Sequence, residues 1–327
     1  RGTHVTLPSG PFLDAVSADP ALTGRRVLVT GGGGFVGGHL VAALVGHNEV
    51  RVLDDFSGGS RERVHPEAEI VEGDVRDPEA VATAMADVDV VFHQAGLVSV
   101  AASTERPVDS QSANVGGTMQ VLDQARRTGA RAVVASSAAV YGRPDSVPIA
   151  EDASLSPTSP YGVDKLAIDH YTRLFADLYD LPSVALRYFN VYGPGQPGGD
   201  YSGVIRTFVD QARAGEPITV HGDGEQTRDF VHIADVVRAN IRAALTDDVG
   251  AAYNVATGDA VTIADLARRI RAAADSDSRI VTVDPRPGDI RHSRADTTAA
   301  AEGLGFEAQV SLAEGLPTVP GLSTPER

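Results

Sequence analysis

The stretch VTGGGGFVGGHL, residues 29–40, decides the reading of the fold. It closes an apolar run, RRVLVTG (25–31), with the composition of a buried strand, and opens the apolar helical segment FVGGHLVAALVG (35–46). Gly31, Gly34 and Gly37 stand between strand and helix at the spacing G-x-x-G-x-x-G. Glycines there let the backbone approach a pyrophosphate, which the N-terminus of the helix then holds. Such a turn is common by itself, and the next strand makes it specific. That strand, EVRVLDD (49–55), ends in Asp54 and Asp55, where an acidic residue takes the ribose 2′-hydroxyl of an adenine dinucleotide. The strand end offers no arginine for a 2′-phosphate, so the pattern predicts NAD rather than NADP. Asp74, ending a third strand, EIVEGD (69–74), is placed to reach the adenine.

Outward from this core the alternation continues. DVVFHQAG (89–96), RAVVASSA (131–138) and SVALRYFN (183–190) read as strands. Between them lie segments of helical period such as PEAVATAMA (78–86) and NVGGTMQVLDQARRTG (114–129). Strands alternating with helices predict an α/β fold, a Rossmann-type, doubly wound parallel sheet covered on both faces. Residues 1–24, with Pro8, Pro11 and Pro20, read as an N-terminal extension with one short helix, and residues 25–190 as the dinucleotide-binding domain. The Gly- and Pro-rich YGPGQPGGDYSG (192–203) reads as a loop. Residues 191–327 form a smaller substrate-binding region, the chain crossing between the two more than once.

The totals exclude several classes. The 327 residues contain no cysteine, so disulfides, thiolate metal sites and cysteine nucleophiles are ruled out. A net charge of −16 disfavours a general nucleic-acid or anionic-membrane binder. No apolar run approaches the roughly 20 residues of a membrane span and no secretory pattern is visible, so a cytoplasmic location is expected.

Of 28 basic side chains, 27 are arginine and one is Lys165. A GC-rich genome accounts for the scarcity of lysine and leaves its placement unexplained. Tyr161 and Lys165 stand at i and i+4 in SPYGVDKL (159–166), on one face of a helix beginning at Pro160. Free tyrosine titrates near pH 10, and a neighbouring ammonium favours the phenolate. The expectation is therefore a tyrosine general base with a lowered pKa, its lysine also donating to cofactor ribose hydroxyls. Ser137, at the tip of the fifth strand, is placed to bond a substrate hydroxyl, with Ser136 as the fallback.

The motifs TGGGGFVG, HQAG, SSAAVYG, YGVDK, RYFNVYGPGQ, GDGEQTRDFVHIADV and RPGDIRHS stand in order. Together they resemble the extended short-chain dehydrogenase/reductase superfamily, in particular its nucleotide-sugar 4-epimerases of the UDP-glucose/UDP-galactose type, over roughly residues 25 to 318. The resemblance implies a catalytic set of Ser137, Tyr161 and Lys165. It implies NAD contacts at Gly31, Gly34, Phe35, Val36, Asp54, Asp55, Asp74, Val75, Ala95, Gly96, Asn114 and Tyr188, besides Tyr161 and Lys165. It implies contacts to the UDP portion of a substrate at Asn190, Val204, Arg228, Arg286 and Asp289, and makes 191–327 mainly a nucleotide-sugar-binding region. Ser293 matches the position where a bulky aromatic excludes N-acetyl sugars, and a small residue there admits them. A homodimer is implied, built on the helix after Pro107 and the helix of Tyr161. Its seam would come from Val115, Met119 and Leu122, or from Ile168, Tyr171 and Phe175, all of which suit a core equally well.

The reaction expected is 4-epimerisation of a UDP-hexose through a transient 4-keto sugar. Sister enzymes that dehydrate or decarboxylate carry acidic residues just after the serine position, where this chain has Ala138 and Ala139. Methyl groups transfer no protons, which disfavours dehydration. UDP-glucuronate decarboxylation stays open, because a carboxyl group β to the 4-ketone is already activated and Arg143 or Arg206 would suit a carboxylate. So do a net oxidoreductase using free NAD and an NAD-binding sensor without turnover.

Overall fold

The structure, a computed structural model, describes residues 11–17, 22–198, 203–286 and 288–323. The extension outside Pro11–Ser17 and residues 22–24, and the tip of the 192–203 loop, fall outside those residues. The strands are Arg26–Thr30 (β1), Glu49–Asp54 (β2), Glu69–Glu72 (β3), Val90–His93 (β4), Arg131–Ser137 (β5), Ser183–Tyr188 (β6), Asn190–Tyr192 (β7), Ile218–His221 (β8), Thr227–Arg228 (β9), Phe230–His232 (β10), Ala251–Val255 (β11), Val261–Thr262 (β12) and Ile280–Val283 (β13). The α-helices are Pro11–Ser17 (α1), Phe35–Leu44 (α2), Pro78–Ala84 (α3), Val100–Glu105 (α4), Pro107–Gln111 (α5), Gly117–Thr128 (α6), Pro160–Tyr179 (α7), Val204–Ala214 (α8), Ile233–Leu245 (α9), Ile263–Ala273 (α10), Thr298–Leu304 (α11) and Leu312–Gly315 (α12).

Seven strands form one parallel sheet in the order β11-β6-β5-β4-β1-β2-β3. The order reverses beside β1, and this makes a ligand crevice at the carboxyl ends of the strands. All six strands anticipated up to residue 190 are present. The seventh, β11, comes from beyond residue 250 and pairs with β6 from Ala251↔Val184 to Val255↔Tyr188. The chain thus leaves the sheet after β6, builds most of the smaller region and returns.

Alternation along each strand sorts side chains to two faces. Val27, Val29, Val52 and Phe92 pack under α2 and α9, with Val16 of α1 in the same cluster. Leu28, Leu53, Val91 and Val134 pack under α3, α6 and α7, where Val121, Leu122, Ile168 and Phe175 meet them. Burial of one such side chain contributes about 1.5–3 kcal/mol. The smaller region has its own core, in which Ile205 and Phe208 of α8 meet Leu266 and Ile270 of α10 and Ile218 and Val220 of β8. Among the described residues no helix is long and apolar enough to cross a membrane, and no His/Asp/Glu group could hold a metal ion.

Candidate active site

Most of the anticipated site residues of the first region stand at or just past the carboxyl ends of β1 to β6, while Asn114 lies in a π turn before α6 and Tyr161 and Lys165 lie on α7. At the end of β1, Gly31 has a left-handed φ of 71°, and a Cβ there would lie 2.7 Å from the Ala95 backbone nitrogen. A Cβ on Gly37 would collide with the Gly31 carbonyl, so this glycine is what allows α2 to start against the turn. Gly34 is the N-cap of α2 and supplies no side-chain cap, and the first-turn N–H groups of Phe35 and Val36 come directly after it. A glycine-lined cradle opening on a helix N-terminus suits the diphosphate of a dinucleotide.

Asp54 is buried, and its two oxygens accept from Gly33 N (2.8 Å) and Phe56 N (2.7 Å). Burial raises its pKa above the usual carboxylate range against those two bonds. The carboxylate therefore braces the glycine turn. Asp55 is exposed and accepts from Ser57. Asp74 is ion-paired to Arg76, which holds its pKa low, while Val75 is buried against Gly117. Ala95 and Gly96 lie just past β4. Asn114, in a π turn over Ser112–Gly116, is buried, and its side chain clamps that loop: Oδ1 accepts from Leu97 N (2.8 Å) and Nδ2 donates to Leu97 O (3.1 Å). Tyr188 turns into the core, its hydroxyl bonded to Gln94 and Asn240, and burial raises its pKa.

The corner that brings the anticipated catalytic residues together is built by α7. Ser159 caps the helix by accepting from Gly162 N, and the buried Ser103 hydroxyl accepts from Tyr161 N. A Cβ on Gly162 would come within 2.9 Å of the Ala139 carbonyl. This glycine is what lets α7 approach the tip of β5 and put Tyr161 beside Ser137. The Ser137 hydroxyl, which accepts from Ala139 N at 3.2 Å, is the polar neighbour that favours the Tyr161 phenolate. Lys165 is buried, its Nζ donating to the Ala135 carbonyl at 2.7 Å and lying 5.9 Å from the centre of the Tyr161 ring. The tyrosine does not have the lowered pKa that its spacing from the lysine predicts. Burial raises the Tyr161 phenol above its ordinary value and pulls Lys165 down to about 8. Desolvation of both charged forms outweighs the attraction anticipated between them. Ser136 faces the other way, toward Asp169 and the Lys165 carbonyl, and is part of the scaffold.

Several supporting groups gave no signal in the sequence. Asp169, fully buried, accepts a bidentate pair from Arg187 (2.8 and 3.1 Å) and a third bond from Arg173. His93 is buried and lowered to about 3, hence neutral. Thr118 gives its proton to the Asn114 carbonyl, so His93 Nε2–H donates to Thr118 and Nδ1 accepts from Thr30. Polar residues inside otherwise apolar helices and strands look like surface positions until the packing is known.

In the smaller region, Asn190 donates to the Asp229 carbonyl and Val204 opens α8. Arg228 and Asp289 are ion-paired to each other. Arg286 and Asp289 line a cleft of about 750 Å³ together with Arg143 and Arg291. Arg291 is paired with Asp223 at 2.7 Å, and Arg206 with Asp210 at 2.8 Å. Ser293 is buried, its N–H donating to the Thr227 carbonyl. Ser137, Tyr161 and Lys165 form one cluster, whereas Arg286 and Asp289 belong to a separate, open cleft.

A sequence profile of the NAD-dependent epimerase/dehydratase family matches residues 27–256. A UDP-glucose 4-epimerase of Mycolicibacterium smegmatis is 38% identical over 301 residues, 89% of this chain and 96% of the relative. A UDP-glucuronic acid decarboxylase of Arabidopsis thaliana is 34% identical over 306 residues, 89% of this chain and 87% of that one. Among solved structures, a UDP-glucose 4-epimerase of Thermotoga maritima with UDP-glucose superposes with a TM-score of 0.86 at 36% identity, over 89% of this chain and 96% of that one.

Proposed function

The chain belongs to the NAD-dependent epimerase/dehydratase family, and on that premise we propose that it is a UDP-hexose 4-epimerase working through a transient 4-keto sugar. The observation that carries the reading is the Ser137–Tyr161–Lys165 cluster beside the dinucleotide turn, together with the methyl groups of Ala138 and Ala139 just past the serine.

The cofactor, NAD, would be held by the Gly31–Gly37 turn and the start of α2, by Asp54 at the ribose and by Lys165. When bound, it accepts and then returns the C4 hydrogen with its electron pair. The rest falls to the chain's own residues. Tyr161 Oη takes the proton of the sugar 4-hydroxyl and gives it back. Ser137 bonds that same oxygen and helps the phenolate form. The Lys165 ammonium, fixed by the Ala135 carbonyl, holds charge under the phenol. Arg286 and Arg228 grip the diphosphate through charge-assisted hydrogen bonds, so that the keto sugar can turn while its nucleotide stays in place. Residues 25–190, completed by β11, serve the cofactor, and the region around α8, α10 and the 284–293 segment serves the nucleotide sugar. Ser293, a small residue at the gate position, would admit an N-acetyl group. Val163, Tyr171, Leu174 and Leu178 expose an apolar stripe on α7 that suits a second copy of the chain. Leu122, Ile168 and Phe175 are buried within the chain itself.

Product analysis tests the reading. The protein is incubated with UDP-glucose, UDP-N-acetylglucosamine and UDP-glucuronate separately, and products are read by proton NMR and mass. An isomer of unchanged mass inverted at C4 is the expected result. Loss of carbon dioxide from UDP-glucuronate would replace epimerisation with decarboxylation. That second reading is favoured by one observation, the exposed Arg143 guanidinium in the cleft beside Arg286.

A further inference from the structure

Asp164 lies between Tyr161 and Lys165 in sequence, in the middle of α7's first two turns, and it is only 4% exposed. A buried carboxylate is costly unless it is bonded and balanced by charge. Its Oδ2 accepts the Ser110 hydroxyl at 2.6 Å and the Asn114 amide at 3.2 Å. Those donors are neutral. Asn114 in turn clamps Leu97, on the segment just past β4. One carboxylate therefore joins the catalytic helix, the π turn and the cofactor-side segment.

The charge balance points to the neighbouring residue. Lys165 is buried too, and its Nζ donates to a neutral carbonyl. The titratable groups around it are few. His93 of β4 is held neutral between Thr30 and Thr118. Tyr161 is on α7 itself. Asp169, one turn on, is engaged by Arg187 of β6 and by Arg173. Among the described residues, the side chains that hydrogen-bond this part of α7 from α4, α5, the π turn and β5 are Ser103, Ser110, Asn114 and Ser136, all uncharged. Asp164 remains as the compensating charge, and its field favours the ammonium form of Lys165.

We propose that Asp164 is a positioning residue which ties α7 to the segment after β4 through Ser110 and Asn114 and acts as the buried counter-charge of the Lys165 ammonium. Its importance for turnover rests on the reading of Lys165 as catalytic, whereas the counter-charge can be measured without substrate. Because the chain has a single lysine, protein grown on ¹³C-lysine gives one Cε–Hε resonance, which reports the Lys165 titration directly. Asp164→Asn and Asp164→Ser are expected to lower that midpoint by about one pH unit. Ser110→Ala, which keeps the charge, should leave it in place. In the same variants the alkaline limb of the turnover profile should move to lower pH for the two Asp164 changes only. An unmoved lysine midpoint in both Asp164 variants overturns the proposal, as does an equal loss of turnover at every pH with the midpoint unchanged. If wild type turned over no nucleotide sugar, the epimerase reading would fall while the lysine titration still decided the role of Asp164.

Discussion

The corner around α7 and the cleft of the smaller region are built on opposite terms. In the corner, Lys165, Asp164 and Asp169 are buried, and bonds to the Ala135 carbonyl, Ser110 and Arg187 hold them in single arrangements. In the cleft, Arg143, Arg286 and Arg291 are exposed, and Arg291 pairs with an exposed partner, Asp223. Proton transfer needs reacting groups held to fractions of an ångström. Recognition of a diphosphate tolerates mobile, solvated cations, and their charge also draws the substrate in. The difference separates what can be altered at small cost in stability from what cannot.

Substitutions should fall into those two groups. The largest effect is expected from Tyr161→Phe, which removes the proposed proton acceptor and leaves the packing. Turnover should drop by about 10²–10⁴-fold, while calorimetric NAD binding and the melting temperature stay near wild type; a variant that kept most of its turnover would remove Tyr161 from the mechanism. Asp169→Ala breaks a buried ion pair and strands Arg187, at about 3–5 kcal/mol of stability, read as a lowered urea midpoint. Arg286→Ala, in the open cleft, should leave that midpoint unchanged. It should instead raise the KM for a UDP-sugar by about 10-fold with kcat little altered, the mark of lost ground-state binding. A large drop in kcat would merge the two regions into one functional unit.

Titration sharpens the same contrast. Lys165 sits at about 8, below its ordinary 10.5, so the fraction carrying the ammonium falls as pH rises through 8. Activity should decline on that alkaline limb by roughly half at the midpoint. KM effects of Arg286 should persist across the range, since guanidinium stays charged. A change of selectivity rather than of turnover is expected of Ser293→Tyr. The bulkier ring should lower kcat/KM for the N-acetyl sugar relative to the plain hexose by about 10-fold, and an unchanged ratio would remove Ser293 as a gate.

The fold is legible in the sequence up to β6, because the strands there are apolar runs separated by helical segments, and the first four run into glycine or aspartate. β11 is not: AAYNV (251–255) opens with two alanines, poor strand formers, and takes its place only through pairing with β6. Tyr161, Lys165 and Ser137 stand out by their spacing, their residue types and their place at strand or helix ends. The Tyr161 pKa does not, because spacing reveals which groups are neighbours and says nothing about desolvation. Asp164, Asp169 and the Gln94–Tyr188–Asn240 set are invisible for a related reason. A polar residue within an α/β pattern looks solvated until the partner elements, which come from far along the chain, are in place.

The late return of β11 bears on how the chain matures. While it is being synthesised, the outer edge of β6 has no partner until the residues around 255 have emerged, some seventy positions after β6 itself. An uncovered strand edge invites pairing with other chains. A fragment ending at residue 190 would keep every residue of the dinucleotide turn and still leave that edge bare. Such a fragment should aggregate, and the cofactor-binding half gains its independence only once the other half has been made.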